Sequence, residues 1–318
     1  MKPRFNTLSL YSVLAIVLGA IILCFPSQCL SLSLNGLNLW FSKMIPALFP
    51  FMVLSGIIIR MNLVSSCVQF LMPLLGRLFR VGPSCIYGIL IGFLCGFPMG
   101  ARTAADLYEH HLISKDEASF LLSFCNNIGP VYFIGFVLPT LGISSPAIYL
   151  FAMYGLPFLY GLFLRYTIYS RRISPHSATK AYNSPAFPLL SALDESILSA
   201  LSSITKLGGY MIFFNLLFIL PSLLTALLPL SYKQRSCLIG CMGCLLEITG
   251  GIGLLENQMP DFVLCVLPFG GLSCIVQTYS MIESADLSLS EYVMHKMILT
   301  AVTVVFYFLA EVRFFLPV

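Results

Sequence analysis

Long apolar stretches, separated by short polar segments, run through almost the whole chain. A window of about 18 or more apolar residues without charge is typical of a membrane-spanning helix, since about 20 residues cross the hydrocarbon. The clear windows are Leu8 to Phe25, Trp40 to Ile59, Ala118 to Leu141, Ala147 to Ile168, Leu207 to Leu230, Cys237 to Leu255, Phe262 to Ile282 and Tyr292 to Phe315. They predict a protein that crosses a bilayer many times.

Two further apolar stretches, Leu63 to Phe79 and Pro83 to Ala101, contain proline, arginine or many glycines. They are either full spans or the two arms of a helical hairpin. The first window follows a basic N-terminus but no Ala-x-Ala cleavage site, so we expect an uncleaved span whose N-terminus is cytoplasmic.

A short polar motif recurs in the two halves of the chain. Ile113-Ser-Lys-Asp-Glu117 returns as Leu287-Ser-Leu-Ser-Glu291, displaced by 174 residues, and the order of the neighbouring elements agrees at that displacement. Two such halves predict a duplication of the kind found in transporters. We therefore divide the chain into an N-terminal span (1–39), a first repeat (40–170), a cytoplasmic linker (171–195) and a second repeat (196–318).

The predicted fold class is an all-α polytopic membrane protein of about 8 to 10 membrane helices. Each of two inverted-topology repeats would contain a helical hairpin and a broken or polar-interrupted helix. The orientation follows from the basic residues, which concentrate in cytoplasmic loops. Those placed inside are Lys2, Arg4, Arg60, Arg102, Lys115, Arg165, Arg171, Arg172, Lys180, Lys206 and Arg313, and those placed outside are Lys43, Lys233, Arg235 and Lys296.

Composition supports the same class, because 58% of the 318 residues are hydrophobic and only 9% are charged. A soluble domain carries roughly a quarter charged residues. The net charge of +4 therefore indicates orientation in the membrane and not nucleic-acid binding.

Glycine stands at every fourth position from Gly88 through Gly92 and Gly96 to Gly100. Such a stripe lets two helices approach closely. Alternatively, Pro98 and the flanking glycines loosen the backbone and expose amides or carbonyls to a substrate.

Adjacent asparagines, Asn126 and Asn127, interrupt the window Ala118 to Leu141 and are followed by Gly129 and Pro130. Two amides in mid-membrane are costly unless they form hydrogen bonds, and the proline frees a carbonyl upstream. The helix is predicted to break here and to form a substrate or ion site. The alternative is that both amides only tie neighbouring helices together.

Glu247 and Thr249 interrupt an apolar window of the second half, and Gly270, Gly271, Gln277 and Thr278 follow in the next. A carboxylate in the membrane is expected to be paired, protonated or bound to a cation, with a static ion pair to a residue such as Lys206 as the alternative. We expect Glu247 to face the two asparagines of the first half. The uncharged groups suit a neutral polar ligand such as a nucleoside, sugar or amide.

Other polar clusters do not indicate catalysis. Asp106, Glu109, His110 and His111 are expected to form a solvated surface and not a metal site, because adjacent histidines on a helix point apart. No Walker loop, Ser/His/Asp arrangement or His-Glu-x-x-His motif occurs. We therefore expect no enzyme, no cofactor and no resident metal.

Four motifs carry a resemblance to a known family: Gly92-Phe-Leu-Cys-Gly-Phe-Pro-Met-Gly-Ala-Arg102, Leu112-Ile-Ser-Lys-Asp-Glu117, Phe124-Cys-Asn-Asn-Ile-Gly-Pro130 and Leu246-Glu-Ile-Thr-Gly250. The chain resembles, from about Trp40 to Phe315, the YlbJ family of sporulation integral membrane proteins with nucleoside-recognition, or Gate, domains. The resemblance implies a cell-membrane protein required for sporulation in an endospore-forming bacterium, with one Gate-like repeat in each half.

Two functions remain open at this stage. The first is a transporter or permease of a small polar, nucleoside-like solute, with a coupling cation, at a site lined by Asn126, Asn127, Glu247 and Gln277. The second is a membrane scaffold whose loops bind sporulation proteins. The expected partners are otherwise the lipid bilayer and further copies of the chain, and nucleic acid is not expected.

Overall fold

The protein contains helices and no strand over residues 7–174 and 188–310, the parts of the chain that this computed structural model describes. The helices of the first part are α1 (Thr7–Cys24), α2 (Pro26–Leu39), α3 (Ile45–Arg60), α4 (Val64–Val68), α5 (Arg77–Phe79), α6 (Pro83–Cys95), α7 (Met99–Glu109), α8 (Lys115–Cys125), α9 (Pro130–Tyr132), α10 (Leu138–Thr140), α11 (Ala147–Leu150) and α12 (Leu156–Tyr166). Those of the second part are α13 (Leu189–Leu216), α14 (Ile219–Ala226), α15 (Tyr232–Leu246), α16 (Ile248–Leu255), α17 (Pro260–Val266), α18 (Gly271–Ile282) and α19 (Leu289–Leu309). Single π-helical turns at Trp40–Met44, Met72–Gly76, Phe133–Val137 and Phe151–Gly155 join or extend several of these helices.

Six helices in the described ranges are long and apolar enough to cross a membrane: Pro26–Arg60, Lys115–Thr140, Ala147–Tyr166, Leu189–Ala226, Pro260–Ile282 and Leu289–Leu309. A seventh crossing results if Met72–Phe79 and Pro83–Cys95, which meet at a bend of 99°, count as one. The chain is thus an all-α polytopic membrane protein, as predicted.

The first helical hairpin consists of α6 and α7. A Cβ added at Gly88 would lie 3.4 Å from the Leu107 side chain, so the two arms run side by side in opposite directions. The tip lies at Gly96, Phe97 and Pro98, where Gly96 has a φ of +76°. The segments Leu63–Phe79 and Pro83–Ala101, for which the sequence left full spans or hairpin arms open, contain the helices Met72–Phe79 and Pro83–Cys95. These meet at a bend of 99°, the geometry of one broken span or of a re-entrant loop.

The second hairpin consists of α15 and α16, and its tip is Glu247. A Cβ at Gly240 would lie 2.6 Å from Leu255, and one at Gly251 would lie 2.2 Å from the Cys244 nitrogen, so the arms are antiparallel and in close contact. The expected single span Cys237 to Leu255 is therefore two arms. The chain reverses at Glu247, whose extended backbone ends one helix and begins the next.

Each hairpin is followed by a helix that crosses the bundle with a break in its middle. In the first half α8 stops at Cys125 and helix resumes at Pro130, and in the second half α17 stops at Val266 and helix resumes at Gly271. An unbroken crossing follows in each half, Ala147–Tyr166 and Leu289–Leu309. The predicted combination of a hairpin with a broken helix thus occurs in both halves.

Contacts between loops show which elements begin at the same end of the bundle. Lys115 Nζ lies 2.9 Å from Asp286 Oδ2, and the Tyr169 hydroxyl donates to Glu291 at 3.1 Å. The Arg165 guanidinium donates to the Arg80 carbonyl at 2.9 Å. The start of α8, the end of α12, the turn before α6 and the start of α19 therefore share one end, which we call the basic end.

The two halves have opposite orientation with respect to this end. In the first half, the open ends of both hairpin arms and the start of α8 lie at the basic end. In the second half, α18 ends at the basic end, so α17 and the second hairpin begin at the opposite end. Basic residues follow the same division. Arg60, Arg77, Arg80, Lys115, Arg165, Arg171 and Arg172 lie toward the basic end, and Lys233 and Arg235 begin α15 at the opposite one.

The residue match that suggested the repeat does not correspond to inverted elements, although each half contains a hairpin followed by a broken helix. The motifs at Ser114 and Ser288 both cap the N-terminus of a helix, and the Lys115–Asp286 contact places them at the same end. Inverted counterparts would lie at opposite ends. The elements that correspond are instead the tip at Gly96 with that at Glu247, and the break after Cys125 with that after Val266.

This arrangement also corrects the predicted placement of the last crossing and of two lysines. The last crossing starts at the basic end, so its direction is opposite to the one predicted. Lys296, expected outside, is only 3% exposed within α19. Lys43, also expected outside, lies midway along the continuous helix Pro26–Arg60. Lys2, Arg4, Lys180 and Arg313 lie outside the described residues.

The long helix α13 packs antiparallel against α2 and α3. A Cβ at Gly36 would lie 2.7 Å from the Met211 carbonyl, and Trp40 Nε1 donates to the Ile204 carbonyl at 2.8 Å. Arg60 meets Glu195 at 3.3 Å near the basic end. Because α13 begins at Leu189, the helix occupies the last part of the segment expected to be linker, and residues 175–187 lie outside the described part.

The inverted architecture predicts which loops share a side of the membrane. In a variant without other reactive thiols, Asp116→Cys and Ser284→Cys should react with an impermeant maleimide from the same side. Ser231→Cys and Gln258→Cys should react from the opposite side only. Labelling of Ser284→Cys from the side of Ser231→Cys would contradict the arrangement.

The glycine stripe predicts a position-dependent loss of stability. A Cβ at Gly92 would lie 2.6 Å from the Cys125 carbonyl oxygen, a backbone atom that cannot move aside, so Gly92→Ala should destabilise the protein. The expected loss is about 1 to 3 kcal/mol, as for other overpacked sites. Gly253→Ala is the matched control, because a Cβ there meets nothing within 4 Å. Equal thermal stability of the two variants in detergent would show that the stripe does not carry this packing.

Candidate functional site

The tip of the first hairpin and the break of the following helix satisfy each other's polar groups. The Phe97 amide donates to the Asn127 carbonyl, and the Ala101 amide donates to Asn126 Oδ1 at 3.2 Å. Both are groups that a continuous helix would satisfy internally and that hydrocarbon cannot satisfy. A Cβ at Gly96 would lie 2.2 Å from the Gly129 nitrogen, so only glycine permits this approach.

Asn126 extends this contact to the second half of the chain. Its Nδ2 donates to Thr278 Oγ1 at 2.9 Å and to the Tyr292 hydroxyl at 3.1 Å, and its side chain is fully buried. The amide thereby joins the first hairpin, the first broken helix, α18 and α19 in one network, which we call the asparagine cluster. Residues of three separate sequence windows meet here.

Lys296 belongs to the same cluster. Its Nζ donates to Asn127 Oδ1 at 3.1 Å and lies 5.6 Å from the centre of the Tyr292 ring, close enough for a cation–π interaction. Among the described residues no carboxylate lies within ion-pair distance of this ammonium. A buried cation of this kind is rare in a membrane helix and usually marks a functional position.

Glu247 has a different environment at the tip of the second hairpin. Its carboxylate accepts from the Thr249 amide at 3.0 Å, the Gly250 amide at 2.7 Å and Asn215 Nδ2 at 3.4 Å. It therefore caps the N-terminus of α16, where the helix dipole favours negative charge. The suggested ion pair with Lys206 is not formed, and neither asparagine of the first half hydrogen-bonds to Glu247 in the described structure.

The second break brings its glycines against both hairpins. Gly270 and Gly271 have φ values of +78° and +81°. A Cβ at Gly271 would lie 3.0 Å from the Cys244 carbonyl, and one at Gly270 would lie 3.6 Å from Phe97. The two tips and the two breaks therefore meet in the middle of the bundle.

A cavity of about 510 Å³ lies beside this meeting point. Backbone segments of the first tip and the first break form one wall, and the helix Pro26–Arg60 forms the other. The polar groups that line it are Lys43, Tyr132 and Thr249. The rest of the lining is apolar. Because a charge in hydrocarbon is costly, we expect the ammonium of Lys43 to face water or a polar group.

Arg102 fixes the first hairpin to α13. Its guanidinium donates to the Ser199 carbonyl at 3.2 Å, to Ser199 Oγ at 2.8 Å and to Ser203 Oγ, and it lies 3.4 Å from Asp106. The side chain is buried, although the sequence suggested a loop charge. Of the cluster of Asp106, Glu109 and His110, Asp106 thus takes part in the contact between the first hairpin and α13.

The structure brings together some of the predicted site residues and separates others. Asn126, Asn127 and Thr278 form the asparagine cluster, Gly129 and Thr249 line the cavity, and Pro130 begins the helix after the break. Gln277 instead donates to Ser273 Oγ one turn earlier at 2.8 Å. Four residues of the site were not predicted from the sequence: Lys43, Asn215, Tyr292 and Lys296. The two lysines could have been found, because each is a charged residue within an apolar window.

Comparison with known proteins gives one informative match. No family model and no solved structure matches the chain. It is 25% identical over 319 residues to the sporulation integral membrane protein YlbJ of Bacillus subtilis (strain 168), an alignment that covers 89% of this chain and 78% of that protein. The chain is similar to YlbJ over most of its length. The match supports a multi-pass membrane protein involved in sporulation, in agreement with the membrane helices.

The contacts of the chain predict which site residues act as a unit. Asn126→Ala and Thr278→Val each remove one side of a buried hydrogen bond, so the double variant should lose less stability than the sum of the single losses. The expected coupling is about 0.5 to 1.5 kcal/mol in the free energy of unfolding in micelles. Asn126→Ala with Glu247→Gln should be additive, because these residues share no partner. Coupling in the second pair and none in the first would contradict the separation of the two sites.

Proposed function

We propose that this chain transports a small polar solute across a membrane during sporulation, with the basic end in the cytoplasm. The observation that carries the proposal is the convergence of two hairpin tips and two helix breaks at mid-bundle, beside a cavity of about 510 Å³. Inverted repeats with discontinuous helices at the midplane are the architecture of many secondary transporters. A scaffold would not need buried polar groups or a cavity at this depth.

The division into halves suggests how the site could open to each side. Each hairpin reaches the middle from a different end, so displacement of one tip opens the cavity toward one side only. The Arg102 contacts with Ser199 and Ser203 attach the first hairpin to α13. During the transport cycle these contacts would break and re-form as the first hairpin moves against α13.

The charges near the cavity bear on the class of solute. Lys43 lines the cavity, and among the described residues its ammonium has no hydrogen-bond or ion-pair partner. A solute with an acidic group would neutralise this charge, whereas the neutral nucleoside-like solute suggested by the sequence would not. We therefore favour a small solute with an apolar body and negative charge.

Uptake into liposomes tests the proposed function. Purified protein should take up at least one solute from a panel of nucleosides, aromatic carboxylic acids and the matching amides, in a saturable manner. Asn126→Ala should lower uptake at least about tenfold, since it leaves buried groups unpaired. Lys43→Gln should lower uptake of acids without a matching effect on amides. Gly253→Ala is the control that should retain uptake.

The alternative function predicts a different pattern. A scaffold would give no saturable uptake of any solute in the panel. The Asn126→Ala and Lys43→Gln chains, introduced into a sporulating strain in place of its own copy, would then support a normal yield of spores. That combination of results would replace the transport proposal.

A further inference from the structure

Lys296 is a cation that the chain itself places deep in the bundle. Its side chain is 3% exposed, and no carboxylate of the described residues neutralises it. The acidic residue on its own helix, Glu291, lies more than a turn away and accepts from the Tyr169 hydroxyl. Glu247 is held by two amides and Asn215. The ammonium therefore depends on neutral groups.

Those neutral groups resemble the donor set of a monovalent-cation site. Asn127 Oδ1 lies 3.1 Å from Nζ, and the face of the Tyr292 ring lies on another side of it at 5.6 Å. An amide oxygen and an aromatic face are the groups that bind alkylammonium ions in proteins. The ring is held in place because the Tyr292 hydroxyl accepts from Asn126.

The position of this site is as informative as its chemistry. Asn127 belongs to the break of the first crossing helix, where transporters with discontinuous helices bind their coupling ions. A water-sized cavity beside it, of about 10 Å³, is lined by Asn127, Pro268 of the second break, and Leu299 and Thr303, which follow Lys296 on α19. There is thus room for a small cation next to the amide once the lysine side chain is removed.

We propose that Asn127 and Tyr292 form a monovalent-cation site that the chain fills with its own ammonium, Lys296, in place of an exchangeable cation. The existence of the site does not depend on transport. Its consequence for coupling rests on the proposed function: a tethered cation replaces the coupling cation expected from the sequence, and uptake needs no sodium or potassium gradient.

Chemical rescue of a variant tests the site. Lys296→Ala should unfold several degrees below the parent when heated in choline chloride, because the Asn127 oxygen loses its donor and the quaternary nitrogen of choline has no N–H to replace it. Methylammonium or ethylammonium chloride at the same ionic strength should restore a large part of that loss, since these ions fit the amide and the ring. Lys233→Ala, which removes an exposed lysine, should respond equally to all of these salts. Equal melting of Lys296→Ala in ethylammonium and choline would overturn the proposal.

The parent protein provides a second test that needs no variant to fold. Its melting temperature should be the same in sodium, potassium and choline chloride, because Lys296 already occupies the site. Stabilisation of the parent by several degrees in sodium or potassium alone would show that a free cation binds there, and would overturn the proposal. Uptake that requires a sodium gradient would reject the consequence for coupling and leave the transport function intact. Rescue of Lys296→Ala by alkylammonium ions without any solute uptake would instead support the cation site and reject the transport function.

Discussion

The whole arrangement depends on one constraint, which is that hydrocarbon cannot satisfy a free backbone amide or carbonyl. A helix that breaks in mid-membrane must find partners for the groups it releases. Here the break after Cys125 finds them in the tip of the first hairpin, through the bonds from Phe97 to Asn127 and from Ala101 to Asn126. The glycines at positions 92, 96 and 100 are required because the two backbones approach too closely for a Cβ. Hairpin and broken helix are consequently one unit.

In the second half, a carboxylate satisfies the free backbone amides at the tip of the hairpin. Glu247 ends α15, and its carboxylate takes up the first amides of α16, so that a residue that is expensive in lipid becomes the cap on which the hairpin turns. Asn215 of α13 supports the carboxylate from the side. The result is a tip that needs no cation, while Lys43 and Lys296 have no carboxylate partner in the described structure.

The sequence predicted the kinds of element well and their pairing less well. The first break and the first hairpin tip were visible because Asn-Asn-Ile-Gly-Pro and Gly-Phe-Pro combine polar, flexible and donor-free positions that a membrane helix otherwise avoids. The reversal at Glu247 was not visible, because the residues on both sides form one apolar run of spanning length. The repeat was matched on a Ser-x-x-Glu motif, but that motif only caps a helix and recurs wherever a helix begins. Lys43 and Lys296 were assigned to the wrong positions because the positive-inside rule assumes that every lysine lies in a loop. It does not consider a lysine that lines a cavity or is buried between helices.

If the tips and breaks surround a space that polar molecules enter in mid-membrane, a cysteine that lines this space should react with a polar reagent. Cys95 is a native probe of that space, since it lines the cavity at the end of α6, whereas Cys85, near the start of the same helix, is fully buried. Membranes that contain the unmodified protein can be treated with a small polar methanethiosulfonate, and the modification of each cysteine followed by peptide mass spectrometry. Cys95 should react, whereas Cys85 should not. Protection of Cys95 equal to that of Cys85 would contradict this prediction.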